Sequence, residues 1–108
     1  MTTRASGTTA VIFVAQRTAH DDVGYQAAAH AMEVLAKLQP GYGGMDSVRG
    51  ADGLGITVSY WATEAHAKKW RDHPDHAAIR DAGRDRWYSH YDLHVAQVTR
   101  SYDWAKPA

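Results

Sequence analysis

Ala10-Val-Ile-Phe-Val-Ala15 is apolar at every position, with β-branched side chains at Val11, Ile12 and Val14. A continuous run of that length predicts a strand covered on both faces. One layer of helices in so short a chain covers only one face. The pattern therefore calls for a partner on the other, and a second copy of the chain is the simplest supply. After His20-Asp-Asp22, whose carboxylates suit an N-cap, Ala28, Ala31, Met32, Leu35 and Leu38 recur at three and four and predict a helix to about Gln39. Pro40-Gly41 ends it.

Tyr42 to Arg49 carries two glycines and reads as a weak edge or bulged strand. Gly50-Ala-Asp-Gly53 is a turn signal, and Gly55 to Trp61 is the hairpin's better strand. Alternation there puts Ile56, Val58 and Tyr60 on one face and Thr57, Ser59 and Trp61 on the other. Thr63 opens a helix that carries Ala67 and Trp70 inward and stops before His73-Pro74. Pro74 suits the first turn of another helix. At helical spacing, His76, Arg80, Gly83 and Trp87 line one side of it. From Tyr88 to Tyr102 the chain alternates, with Tyr91, Leu93 and Val95 on one face and Tyr88, His90, Asp92 and His94 on the other.

The order is β-α-β-β-α-(α)-β. It predicts an α+β domain of the ferredoxin-like, split βαβ type: a four-stranded antiparallel sheet with helices on one face. The domain spans 9–104, with a polar, frayed segment over 1–8 and a short tail over 105–108.

Composition narrows the partners. Of 108 residues, twelve are basic and twelve acidic. That balance gives no electrostatic case for nucleic acid or an anionic membrane. The absence of Cys excludes disulfides, thiolate metal sites and a Cys nucleophile. No apolar run approaches the ~20 residues that span a bilayer, and the N-terminus lacks the apolar core of a signal peptide. The expected location is the cytoplasm.

Candidate chemistry is concentrated in residues 56–91. Three of the four Trp, three of the six Tyr and four of the seven His fall there, around a strand end and two short helices. Aromatics mixed with titratable groups are what a small-molecule pocket needs. Each has a plainer structural reading: Trp70 and Trp87 suit a core, Tyr60 and Trp61 can close one, and His73 before Pro74 suits a cap. No metal site is expected. Pro74 interrupts the His73/His76 pair, and His90 and His94 stand about 13 Å apart on a strand.

Several of these pieces together carry a family resemblance. They are Gln39-Pro-Gly-Tyr-Gly-Gly-Met-Asp-Ser47, Gly55-Ile-Thr-Val-Ser-Tyr-Trp61, Trp70, Arg71-Asp-His-Pro-Asp-His76 and Gly83-Arg-Asp-Arg-Trp-Tyr88. In order and spacing the sequence resembles the antibiotic biosynthesis monooxygenase domain family of the dimeric α+β barrel superfamily, over roughly residues 9–103. The resemblance implies a homodimer joined through its sheets, with a cavity between sheet and helices in each subunit. It implies oxidation of a small aromatic, phenolic or quinol-like substrate by molecular oxygen, without a cofactor. A second branch of the superfamily binds and degrades haem.

Residue by residue, Trp70 matches the Trp of the haem-degrading relatives, but Gln16 stands near their first-strand Asn and Arg80 where their axial His is expected. Haem chemistry is thereby disfavoured. Ser59 stands where the polyketide-oxidising relatives carry an Asn; Trp61 matches their strand-end Trp and Arg80 their helical Arg. The expected catalytic set is His76 as base, Arg80 as anion holder, and Trp61 and Trp70 as the box. Ser59, Tyr60, Trp87 and His90 are expected to line the substrate. A dimer that only binds a hydrophobic ligand is the alternative, with haem binding or degradation as a third reading.

Overall fold

The computed structural model describes residues 3–108. The elements are β1 (Thr9–Arg17), α1 (Asp22–Lys37), β2 (Tyr42–Arg49), β3 (Leu54–Trp61), α2 (Glu64–Arg71), α3 (Pro74–Ala82), a π-helical turn (Gly83–Trp87) and β4 (Tyr88–Gln97). The four strands form one antiparallel sheet in the order β2-β3-β1-β4, the ferredoxin-like α+β arrangement expected from the sequence. The glycine-bearing β2 is an edge strand, and its register shifts between Tyr42 and Gly44, which is the bulge its composition implies.

Local chemistry sets the boundaries. Thr63 caps α2 by accepting from the His66 backbone N–H at 3.2 Å. His73 caps α3, with Nδ1 accepting from the Asp75 backbone N–H at 3.1 Å, and Pro74 takes the first helical position. Asp21 caps α1 from a left-handed backbone (φ 51°), a conformation that Asp tolerates better than most residues. Gly41 turns the chain after α1 at φ +79°, and a Cβ there would lie 2.3 Å from the His66 ring. Only glycine fits.

Paired residues across neighbouring strands share a face. The register therefore puts Val11, Phe13, Ala15, Ser59, Trp61, Tyr42 and Met45 under the helices. Ile12, Val14, Ile56, Val58, Tyr60, His90, Asp92 and His94 lie on the open face. The core under the helices gathers Ala36, Trp61, Ala67 and Trp70, with Val11, Met32, Leu35, Tyr42 and Met45 packed against it. Cover is thinner over β4, where Leu93 and Val95 are half exposed.

Three sequence expectations change. Tyr88 does not share a face with His90. Gln16 pairs with His90 and Arg17 with Tyr88, so Ser89 is an extra residue in the ladder. That bulge turns Tyr88 under the helices, 5.4 Å from the Phe13 ring and 5.9 Å from Tyr25. β4 ends at Gln97 rather than Tyr102, because its partner β1 begins at Thr9 and the ladder runs out. The single helical side drawn through His76, Arg80, Gly83 and Trp87 breaks at Gly83–Trp87, where the helix widens to a π-turn and the 3.6-residue period fails.

At the N-terminus, residues 1 and 2 of the segment expected to fray lie outside the described residues. Arg4 donates its backbone N–H to Ser101 Oγ at 2.8 Å, and Gly7 donates to the Val98 carbonyl at 2.9 Å. No helix among the described residues is long and apolar enough to cross a membrane.

Candidate functional site

An aromatic stack runs from the end of β3 to the start of α3. Tyr42 meets Trp61 edge-on with ring centroids 5.7 Å apart; Trp61 stacks on Trp70 at 5.9 Å and 25°. Trp70 then stacks on the imidazole of His76 at 4.6 Å and 12°, with His73 on its flank at 5.9 Å. Contacts of this kind contribute about 0.5–1.5 kcal/mol each beyond their buried area. The strand end delivers Trp61, α2 delivers Trp70, and the tight His73-Pro74 junction folds α3 back so that His76 reaches Trp70.

The polar groups around the stack are few and committed. Trp61 is fully buried, and its indole N–H donates to Ser59 Oγ at 3.0 Å. Both lie two apart on one strand face. His76 Nδ1 stands 3.1 Å from the Trp70 carbonyl oxygen. A carbonyl only accepts, so the proton sits on Nδ1 and Nε2 is the basic nitrogen of the neutral ring. Burial pushes the His76 pKa below its ordinary 6.5, partly opposed by the Trp70 and Arg71 carbonyls; the Arg80 and His73 charges push the same way as burial. The ring is therefore neutral at pH 7. Beside it, Arg80 reaches the Arg71 carbonyl at 3.5 Å, and its buried Nε–H has no partner.

Ser59, Trp61, Trp70, His76 and Arg80 thus come together. Tyr60 and His90 lie on the opposite face of the sheet. Tyr60 stacks under the Arg4 guanidinium at 4.1 Å, and exposed His90 pairs with Asp92 at 3.3 Å. Trp87 belongs to a different cluster, 5.9 Å from Tyr25, its indole N–H donating to Asp21 at 3.2 Å. Tyr42, part of the resembling motif, joins the stack without being among the expected site residues. Its pairing with Trp61 depends on the β2 bulge, which composition indicates without locating.

An open apolar groove of about 700 Å³ runs between α1 and α3, lined by Met32, Val34, Leu35, Leu38, Ala78 and Ile79, with His30 and Asp75 among its polar members. Met32 and Leu35 also pack on the Trp61–Trp70 core, so two side chains separate groove from stack. Among the described residues no group of three or more His, Asp or Glu converges as a metal site would.

The chain has the fold of antibiotic biosynthesis monooxygenase-like proteins. A candidate monooxygenase of that kind from Nitrosomonas europaea superposes with a TM-score of 0.76 at 13% identity, over 88% of this chain and 93% of that one. A variant of SnoaB, a cofactor-independent oxygenase from Streptomyces nogalater, gives 0.75 at 9% identity over 88% and 96%. Rv0793 of Mycobacterium tuberculosis gives 0.74 at 16% over 92% and 99%. In sequence, the uncharacterized protein YqjZ of Bacillus subtilis is 46% identical over 91 residues, 84% of this chain and 79% of YqjZ. The chain belongs to the family of YqjZ. No family model matches it.

Proposed function

We propose that the chain is a cofactor-independent monooxygenase of the cytoplasm, oxidising a small electron-rich aromatic, phenolic or quinol-like compound with molecular oxygen. His76 is the general base, Arg80 holds the anion, and Trp61 and Trp70 wall the site. The observation that carries this reading is the Nδ1–H of His76 held on the Trp70 carbonyl beside an unpartnered Arg80 Nε–H. It fixes a neutral imidazole with a basic nitrogen next to a donor that lacks an acceptor. The description of SnoaB as a cofactor-independent oxygenase on the same fold is consistent with it.

The chemistry needs no electrons from outside. His76 takes a proton from an acidic C–H or O–H of the substrate, and Arg80 holds the resulting oxyanion. The anion gives one electron to oxygen, the substrate radical and superoxide combine to a peroxide anion, and the His76 imidazolium returns its proton to give the hydroperoxide. Loss of water leaves a new carbonyl, so one oxygen atom enters the product and the other leaves as water. The aromatic walls of Trp61 and Trp70 are the groups that would keep solvent from the anion. Ser59 acts through Trp61 by holding its indole. In this reading Tyr60 and His90, on the open face, and Trp87, beside Tyr25, take no part in the chemistry.

The homodimer is part of the proposal. Ile12, Val14, Ile56 and Val58 make an apolar band on the open sheet face, flanked by Leu54 and Val48 that are themselves exposed. A contiguous patch of that kind calls for cover. Light scattering should give two chains' mass, and Ile56→Lys should give one.

The apolar groove favours one second reading, a dimer that binds a hydrophobic ligand without turnover. Oxygen uptake with a panel of anthrones and dihydroxynaphthalenes separates the two: binding without uptake supports the second. For haem, a guanidinium at position 80 has no lone pair to offer iron. A haem titration with no shift of the Soret band is the expected result.

A further inference from the structure

At the other end of β1 from the aromatic stack lies a second cavity, of about 350 Å³, among the N-terminus of α1, the end of β1 and the β2–β3 turn. Two guanidinium groups face it around a single ring. The Arg17 Cζ sits 3.9 Å from the centroid of Tyr25 and the Arg49 Cζ 5.6 Å from it. The Arg17 side chain is only 6% exposed. Arg49 lies flat across β3 because position 55 is glycine: a Cβ there would fall 2.5 Å from the Arg49 Cζ.

The charges are incompletely answered. Arg17 donates to the Trp87 carbonyl at 2.7 Å and pairs with Asp22 at 3.2 Å, but that carboxylate is 70% exposed. Arg49 donates to the Ala15 carbonyl at 3.1 Å, to the Gly53 carbonyl and to the Tyr25 hydroxyl at 3.1 Å. All three acceptors are neutral, and among the described residues no carboxylate lies within 4.0 Å of it. Asp52, on the cavity wall, turns its Oδ1 to the Leu54 backbone N–H of its own turn. Tyr88, next to Tyr25, supplies no charge, since burial and its bond with Tyr25 hold its phenol protonated. A guanidinium has five N–H donors in a planar fork that matches a carboxylate or phosphate; Arg17 is the charge removed from water, while Arg49 is exposed and offers its fork to a ligand arriving from solvent.

We propose that this cavity is a binding site for a small oxyanion, a carboxylate or a phosphate, bridged between Arg49 and Arg17, with Asp22 swinging out to solvent as it enters. None of Trp61, Trp70, His76 or Arg80 lines this cavity, and the proposal does not rest on the oxygenase reading. Asp22 is the competing anion, so the two sides of the site respond oppositely to substitution. Removing its charge tightens binding, and removing the Arg49 charge weakens it.

The test is calorimetric titration of the full chain with sodium phosphate and, separately, sodium succinate, at ionic strength held constant with sodium chloride. Saturable binding of at least one is expected. Phosphate alone would identify the ligand class as phosphate, and succinate alone as carboxylate. Arg49→Gln should weaken it by about tenfold or more, the loss of one charge-assisted pair. Asp22→Asn should tighten it severalfold. Because Asp22 is exposed and the α1 cap is Asp21, that variant keeps the test decisive if Arg49→Gln fails to fold. No saturable binding of either anion, or binding that Asp22→Asn leaves unchanged or weakens, overturns the proposal.

Discussion

Replacing Ser59 by Ala should destabilise the fold. Trp61 is completely buried, and its indole N–H has one acceptor, the Ser59 hydroxyl at 3.0 Å. In Ser59→Ala that donor is stranded out of reach of water. A buried polar group that loses its partner costs about 1–3 kcal/mol. For a domain of this size each kcal/mol lowers the thermal midpoint by about 4–8 °C, so the shift is readily measured by circular dichroism. The effect belongs to the pair. In a Trp61→Phe background the donor is already gone, and adding Ser59→Ala should cost less by about 1 kcal/mol. Urea unfolding of the four species of that cycle checks it. A Ser59→Ala change within about 0.5 kcal/mol of the parent, or equal costs in both backgrounds, would refute the hydrogen-bond argument.

Other consequences are as direct. Because burial depresses the His76 pKa, the unfolded chain binds more protons than the folded one as pH falls below 6.5. Stability contributed by neutral His76 is present above 6.5 and lost as pH drops toward the folded pKa. His76→Gln should flatten the pH 5–7 slope of urea midpoints. Asp21, lowered in pKa mainly by the Trp87 indole N–H and the Gly24 backbone N–H, acts in a separate window. Its contribution is present above 3.8 and disappears in more acid solution, so Asp21→Asn should lose less thermal stability than Asp21→Ala. Gly41→Ala should cost at least ~1–2 kcal/mol in urea unfolding, from its left-handed backbone alone, with the His66 ring adding to it.

Much of this architecture is legible in the residues. The apolar run of β1, the glycines of β2 and the Thr63 and Pro74 signals each act over a few residues, where local physics dominates. The two helix-to-strand errors have a common source. Tyr88-Ser-His-Tyr-Asp alternates acceptably as a plain strand, and only the partner β1 shows that Ser89 is extra. His76, Arg80, Gly83 and Trp87 fit a helical repeat that the π-turn then breaks. Strand pairing decides the first, and a local widening of the helix the second. The candidate site was legible as a group of side chains but not as an arrangement: Tyr60 and Trp61 are neighbours in sequence and lie on opposite faces of the sheet. The Arg17–Arg49 arrangement is not legible in the sequence, since arginines near strand ends read as solvated and only the folded sheet brings Gly55 and Tyr25 beside them.

The measurement closest to the central claim is oxygen uptake by the chelator-treated protein on a panel of anthrones and dihydroxynaphthalenes, repeated with His76→Ala and Arg80→Ala. The account expects uptake without added metal or flavin, one oxygen atom entering the product, and a loss of about 10²–10⁴-fold in His76→Ala. The acid limb of the parent protein's pH profile should fall below 6.5. Unchanged uptake in both variants, with a substrate the protein demonstrably turns over, would contradict it.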